Sequence, residues 1–341
     1  MARESNFPAS VKFLDLAQYS RDVADIPFSK ELRFRTSGVR TFTPTSMIFF
    51  AKTCRRRVRA SEGKEHVFFH GLSKHSYANN FGFSDALKLE GKPYPQGAFG
   101  GKGYVPMSTM SLSHLEEVAA LNSVQVGDAI EAECETIANV AAQERSSKLT
   151  QLLQTSFREI FRNVFEHSQC STAGYCAQYW PTRDAVEICI SDRGIGFANS
   201  LAEDRYFSGL SDYEALLMSL MPGVSSKARL QKKRPRSQRT EWDNSGYGLY
   251  FVHRLASEFG WFGMASGKSA LFIENGVLKR GACDVEGAIV SLRLKLSDPD
   301  AIEKKIDSIR TEAEQTKQRM GVRNLTPASV EAFLARGGMQ A

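Results

Sequence analysis

The chain has 341 residues, enough for two domains of ordinary size, each with its own core. Hydrophobic residues make up 42% and charged residues 24%, which excludes wholesale disorder, and no window approaches the roughly 18 uncharged apolar residues of a membrane helix. The formal charge of +6 is local: Lys227, Arg229, Lys232, Lys233, Arg234, Arg236 and Arg239 follow one another with no acid between them.

Met1 to Ser20 mixes Arg3, Glu4, Lys12 and Asp15 among its apolar residues and so lacks the core of a signal peptide, which makes the cytoplasm the default address. The six cysteines form no CxxC pair and no zinc-type spacing; they read as small buried hydrophobes in a reducing compartment. Residues 1–110 read as a small α/β module. Thr43-Pro44-Thr45 signals a helix start, and Met47, Phe50, Cys54 and Val58 mark its apolar face. Val67 to His70 is a strand candidate, and Tyr77 to Leu89 shows helical spacing broken at Gly82.

Three features of this module have plain structural explanations. Arg55, Arg56, Arg57 and Arg59 read as a solvated helix face, ahead of a nucleic-acid patch. Gly97 to Gly103 lacks the Gly-Lys-Ser/Thr ending of a phosphate loop and reads as a connection. His66, His70 and His75 have no carboxylate or cysteine at metal-ligand spacing and read as structural.

Residues 111–148 are helix-rich and acidic, divided near Gly127, and read as a helical linker. It feeds into a helix in which Leu153, Phe157, Ile160, Phe161, Val164 and Phe165 form an apolar stripe. Glu159, Asn163 and His167 fall four residues apart on a neighbouring face. A carboxylate and an amide oxygen one turn apart can polarise a water and complete the shell of a hard cation such as Mg²⁺; the plainer alternative is a solvated polar stripe.

Gly174 to Trp180 and Ala185 to Ser191 read as a hairpin about Pro181-Thr182-Arg183-Asp184. Its second strand runs into Asp192-Arg193-Gly194-Ile195-Gly196. That sequence sets a hydrogen-bond acceptor beside backbone able to approach a planar ligand. A long polar span follows to Ser245. Gly246-Tyr247-Gly248-Leu249 then opens an amphipathic helix whose first N–H groups can bind an anion. Gly260 to Gly267 reads as turn-rich, followed by strands at Ala270 to Glu274 and Gly287 to Leu294. The tail, 298–341, holds a charged helix with Ile302, Ile306, Ile309 and Ala313 as a narrow seam, then a short helix from Pro327 to Ala335. The seam suits packing on its own domain, ahead of docking or a homodimer.

Glu159-xxx-Asn163, Asp192-x-Gly194-x-Gly196 and Gly246-x-Gly248-Leu249, in that order, resemble the N-box and two glycine boxes of the GHKL (Bergerat-fold) ATPases, a superfamily that includes sensor histidine kinases and anti-sigma serine kinases. The resemblance covers about residues 149–297, with Gly287-Ala288-Ile289-Val290 before the final strand. It implies an α/β sandwich that binds ATP and Mg²⁺. Glu159 would be the catalytic base and Asn163 the metal ligand, and Asp192 would accept from the adenine amino group. Gly194 and Gly196 would let backbone approach the ring, while Gly246, Tyr247, Gly248 and Leu249 would present the phosphate site under a mobile lid at 198–245. His167 is a further nucleotide contact on the same helix face. A fainter resemblance, at Tyr77 to Leu87 and the helix from Phe42 to Arg59, is to STAS-like domains, which implies a protein-interaction or sensing module. The expected fold class is therefore α/β in two domains.

The departures narrow the function. His114-Leu115-Glu116-Glu117 is the nearest approach to a phosphoacceptor histidine box and fails it, so a self-phosphorylating histidine kinase is not expected, and the chain is short for an added transducer domain. Ala288 stands for the family's usual threonine and Val164 for its alanine. The leading expectation is a cytoplasmic ATP/Mg²⁺-binding regulator that hydrolyses ATP slowly or phosphorylates a partner protein on serine or threonine. The alternative is a non-enzymatic, nucleotide-dependent interaction module or switch. Nucleic acid is disfavoured as a partner, and no membrane contact is expected.

Overall fold

The structure is a computed structural model and describes residues 2–87, 100–224 and 247–335. Its first part alternates strand and helix: β1 (Ala2–Asn6), α1 (Phe13–Asp25), β2 (Glu31–Arg35), α2 (Pro44–Ala60) and β3 (His66–His70). The strands pair in parallel in the order β1-β2-β3. Parallel neighbours need long crossovers, and α1 and α2 supply them. The start of α2 is built from sequence alone. The Thr43 hydroxyl accepts from the Ser46 N–H (3.3 Å), the Ser46 hydroxyl accepts from the Thr43 N–H (2.7 Å), and Pro44 needs no partner in the first turn. Two short helices follow, α3 (Ser76–Asn80) and α4 (Phe83–Leu87), separated at Gly82 as its spacing implies.

The second sheet has five strands, all antiparallel. They are β4 (Tyr104–Ser111), β5 (Thr172–Trp180), β6 (Ala185–Asp192), β7 (Gly260–Glu274) and β8 (Val277–Lys295), in the order β4-β5-β6-β8-β7. The chain is thus α/β with one parallel and one antiparallel sheet. β4 belongs to residues 1–110 by sequence, yet it pairs with β5, so that segment contributes to both sheets. Between β4 and β5 run α5 (Leu112–Asn122), α6 (Val126–Ala142) and α7 (Ser147–His167). The break in the acidic segment falls at Ser123, whose φ is +53°, and not at Gly127, which is buried in the first turn of α6.

An antiparallel sheet with one wet face alternates buried and exposed positions. β6 does not: all eight of its residues are buried. Val186, Ile188 and Ile190 join the core formed by α6 and α7, including Phe157 and Phe161. Cys189, with Cys176, Ala265 and Ile289 of neighbouring strands, joins a second core with Phe13 of α1 and Phe49 of α2. The N-terminal module therefore lies across the second face of the five-stranded sheet. Phe50 on the far side of α2 meets Phe34 and Phe69 of the three-stranded sheet, at ring separations of 5.8 and 6.3 Å.

This layering explains several departures from the sequence expectations. Gly260 to Gly267 is not turn but the first half of β7. A Cβ on Gly260 would lie 2.0 Å from the Arg293 carbonyl oxygen, and one on Gly263 would lie 2.6 Å from the Phe13 ring. Its glycines mark close approach, not chain reversal. The described part of the polar span, 198–224, is packed: α8 (Gly196–Leu201) and α9 (Asp212–Ser219) bury Leu201, Tyr213, Leu216 and Leu217 in the main core. The basic run 227–239 lies outside the described residues.

The arginine quartet of α2 is not a solvated face. Arg57 and Glu65 form a buried pair, 2% and 0% exposed, and Arg57 also donates to the Ile26 and Pro27 carbonyls. Arg56 pairs with Asp284 and Arg59 with Glu286, both on β8. His75 bonds the Thr36 carbonyl at 3.1 Å. Gly101 and Tyr104 exchange main-chain hydrogen bonds in a tight turn; residues 97–99 of that glycine-rich connection lie outside the described residues. No described helix is long and apolar enough to cross a membrane.

The site helix that starts the last sequence motif is α10 (Gly248–Phe259). The charged tail helix α11 (Pro299–Asn324) packs against α10 and α7, with Ile302, Ile306, Ile309 and Ala313 buried in the main core. The final helix, α12 (Pro327–Ala335), buries Val330 and Leu334. The narrow seam thus packs on its own domain.

A buried carboxylate in the middle of β6 joins the two layers. Glu187 of β6, 1% exposed, accepts from Arg293 Nε (3.1 Å) and Nη2 (2.6 Å) and from the main chain (3.1 Å) and hydroxyl (2.6 Å) of Thr45 in α2. Glu187→Ala leaves Arg293 and Thr45 without that partner. It is expected to cost about 2–4 kcal/mol, seen as a lower urea midpoint at unchanged m-value. An unchanged midpoint would show that the junction contributes nothing to stability.

Candidate functional site

The amphipathic pattern of α7 decides which of its residues reach the site. Ser146 caps it by accepting from the Leu149 N–H at 3.3 Å, and Leu153, Phe157, Phe161 and Val164 turn into the core. Glu159 and Asn163 then fall on the neighbouring face and line a cleft between α7, α8, the end of β6 and the start of α10. Phe165 is only partly buried at the edge of the core. The His167 side chain and Gly246 lie outside the described residues.

Asp192 closes β6 and is 8% exposed. Its Oδ1 accepts from the Gly194 N–H at 2.7 Å, and the Ala288 N–H also bonds the carboxylate. Burial raises its pKa, while Lys52 and these two N–H groups oppose the rise. Gly194 sits beside the cleft. A Cβ there would lie 2.1 Å from the Ser168 carbonyl oxygen, so within the protein itself this glycine is required by packing against the end of α7. Gly196 has φ +78°, in the left-handed region, and lines the cleft as α8 begins.

The start of α10 meets α7 directly. Oε2 of Glu159 accepts from the Tyr247 N–H at 3.0 Å and the Gly248 N–H at 2.5 Å. A carboxylate thus occupies the anion position at the positive end of a 12-residue helix. A phosphate can bond these two N–H groups only after Glu159 has left them. Gly248 allows this approach, since a Cβ on it would lie 2.8 Å from Glu159 Cβ. Leu249 lines the cleft. Tyr247 contributes only its main chain: its hydroxyl donates to Glu314 of α11 at 2.8 Å.

Six of the expected residues therefore line one cleft: Glu159, Asn163, Asp192, Gly196, Gly248 and Leu249. The rest of its wall includes Ser168, Phe197, Ser200, Ser219 and Val224, together with Ala288 and Val290 from the segment before the final strand, which the sequence had marked. The cleft holds about 90 Å³, well below the roughly 300 Å³ at which small-molecule sites begin.

Lys52 of α2 was passed over. Its ammonium donates to the main-chain oxygens of Asp192 and Glu286, the latter at 3.1 Å. Burial lowers its pKa to about 8, against the pull of Asp192 and Glu286. Nothing local in the sequence marks a lysine that acts on a strand end 140 residues away. Among the described residues no grouping of three His, Cys, Asp or Glu could hold a metal ion, so a cation here would draw on Asn163, Glu159 and oxygens of its own ligand. Comparison with protein-family models, with curated proteins and with solved structures found no match.

His253 ties α10 to the core and sets a pH dependence. It is 1% exposed, its Nδ1 bonds the Leu249 carbonyl at 3.0 Å, and its Nε2 has no hydrogen-bond partner among the described residues. Burial, then the neighbouring Arg254, lowers its pKa to about 3 from an ordinary 6.5. Between these values the unfolded chain binds a proton that the folded one does not, so stability is full above about pH 6.5 and falls as the pH drops. The expected contribution is about 1.4 kcal/mol per pH unit. Denaturation midpoints between pH 7 and 5 should fall less steeply for His253→Phe than for wild type; equal slopes would remove His253 as the cause.

Proposed function

We propose that the cleft binds ATP with Mg²⁺ and that the chain is a GHKL-type nucleotide-dependent regulator. It hydrolyses ATP slowly or transfers the γ-phosphoryl group to a serine or threonine of a partner protein. The observation that carries this reading is the convergence of Glu159, Asn163, Asp192 and the first N–H groups of α10 on one cleft, from segments far apart in the chain.

In this reading Asp192 accepts from the adenine amino group, in a pocket floored by Ala288 and Val290. The Tyr247 and Gly248 N–H groups hold a phosphate once Glu159 has swung away, and Asn163 offers its amide oxygen to Mg²⁺, a hard cation suited to oxygen donors. Mg²⁺ would neutralise charge on the phosphates. Displaced from the helix end, Glu159 takes the proton from a water or hydroxyl whose oxygen bonds the γ-phosphorus. The bond to the β,γ-bridging oxygen breaks, and ADP leaves with that electron pair. Such a transfer asks the protein mainly for positioning and charge stabilisation. The three-stranded module, read as STAS-like, is the partner-facing or sensing part.

The second reading is a switch that binds nucleotide without turnover. It is favoured by the same hydrogen bonds, because Glu159 has a capping role that needs no catalysis.

Titration calorimetry with ATP and Mg²⁺ tests binding: Asp192→Asn should weaken affinity at least tenfold, about 1.4 kcal/mol, and unchanged affinity would sink the site assignment. Phosphate release and label transfer from γ-labelled ATP then separate the two readings. For the enzyme, Glu159→Ala falls to background; for the switch, wild type is already there.

A further inference from the structure

A cavity larger than the cleft lies beside it. It holds about 780 Å³, lies between α2, the start of α5 and the ends of β4, β5 and β6, and shares only Ser191 and Asp192 with the cleft among the described residues. Its size falls within the range of small-ligand sites.

Lys52, Arg55, Arg56 and Arg59 line it from one face of α2, at the i, i+3, i+4, i+7 positions that a helix sets side by side, and Arg193 joins them from beyond β6. Two of these charges are neutralised: Arg56 by Asp284 at 2.5 Å, and Arg59 by Glu286. Two are not: no described carboxylate lies within ion-pair distance of Arg55 or Arg193. Lys52 donates to main-chain oxygens and is drawn by the Asp192 and Glu286 carboxylates. Burial lowers the pKa of Arg55, and repulsion from Arg193 and Arg59 lowers it further.

Five acids also line the cavity, Asp85, Glu117, Asp192, Asp284 and Glu286, the last paired with Arg59. Asp284 pairs with Arg56 and Lys268, Glu117 faces His114 at 3.9 Å, and Asp192 is bonded by main-chain N–H groups; Asp85 also has a partner. The wall opposite the cations carries hydroxyls: Ser108 and Thr109 of β4, Ser111, Ser113 of α5, and Thr172 of β5. Cations and hydroxyls lining one cavity match the chemistry of a phosphate on a polar body.

We propose that this cavity is a second ligand site, which binds a small phosphorylated molecule through Arg55, Arg193 and the Lys52 ammonium. Lys52 touches the Asp192 main chain, so occupancy is felt at the strand end that the cleft shares. The site stands whether or not the cleft binds ATP.

The test is titration calorimetry of the full chain in chloride buffer with inorganic phosphate, ribose 5-phosphate and ribose. Both phosphates should bind and ribose should not, and Arg55→Gln/Arg193→Gln should weaken phosphate binding at least tenfold. Absence of phosphate binding, or equal binding by the double variant, overturns the proposal. Phosphate held at the start of α10 would instead respond to Glu159→Gln and not to the arginine changes, and that pattern overturns it too. Without ligand, the double variant should melt at or above the wild-type temperature, because two mutually repelling charges are gone. A lower melting temperature contradicts the unpaired-cation geometry.

Discussion

Everything at the candidate site depends on burying β6 on both faces. A strand with eight buried residues needs apolar partners above and below, and the carboxylate in its middle, Glu187, needs full compensation. Arg293 and Thr45 provide it, and Thr45 thereby sets α2 against β6 and β8. Thr45, Lys52 and Arg59 are spaced by sevens, two helical turns, so one face of α2 meets the sheet along its length. Once Thr45 is anchored on Glu187, Lys52 is carried to the Asp192 main chain and Arg59 to Glu286. A single polar junction thus connects the packing of two layers to the end of the strand that carries Asp192.

The same geometry explains why the cleft is narrow. A helix that starts against another helix must satisfy its first N–H groups, and at the start of α10 water has little room because α7 is against it. Glu159 does this with one oxygen shared between two donors. The carboxylate that the proposed chemistry would use as a base is therefore the group that caps α10. An anion bound at this helix end would compete with Glu159 for the same N–H groups, which would make its occupancy a two-state matter.

The cations of α2 show how misleading a charge run can be. In sequence Arg55 to Arg59 resembles a solvated face. In the fold Arg57 is buried with Glu65, Arg56 and Arg59 stitch α2 to β8, and Arg55 is left with Lys52 and Arg193 in a cavity. Helical spacing told which residues share a face; it could not tell that two sheets would enclose that helix.

By itself the sequence determined the elements and much of their polarity. The α7 stripe, the Thr43 cap, the hairpin about Pro181 and the acceptor at the end of β6 were all legible, because each depends on neighbours within one or two turns of chain. The order of Glu159-xxx-Asn163, the aspartate-glycine box and the glycine pair before α10 was legible for the same reason, and with it a nucleotide-site expectation. Only the tertiary structure decided that β4 joins the second sheet and that Gly260 to Gly267 is strand. It also decided that Glu159 caps α10 and that Lys52 holds the Asp192 main chain. These facts rest on contacts between segments roughly 20 to 250 residues apart, where close approach by a backbone or a buried charge selects a residue without leaving any local period to read.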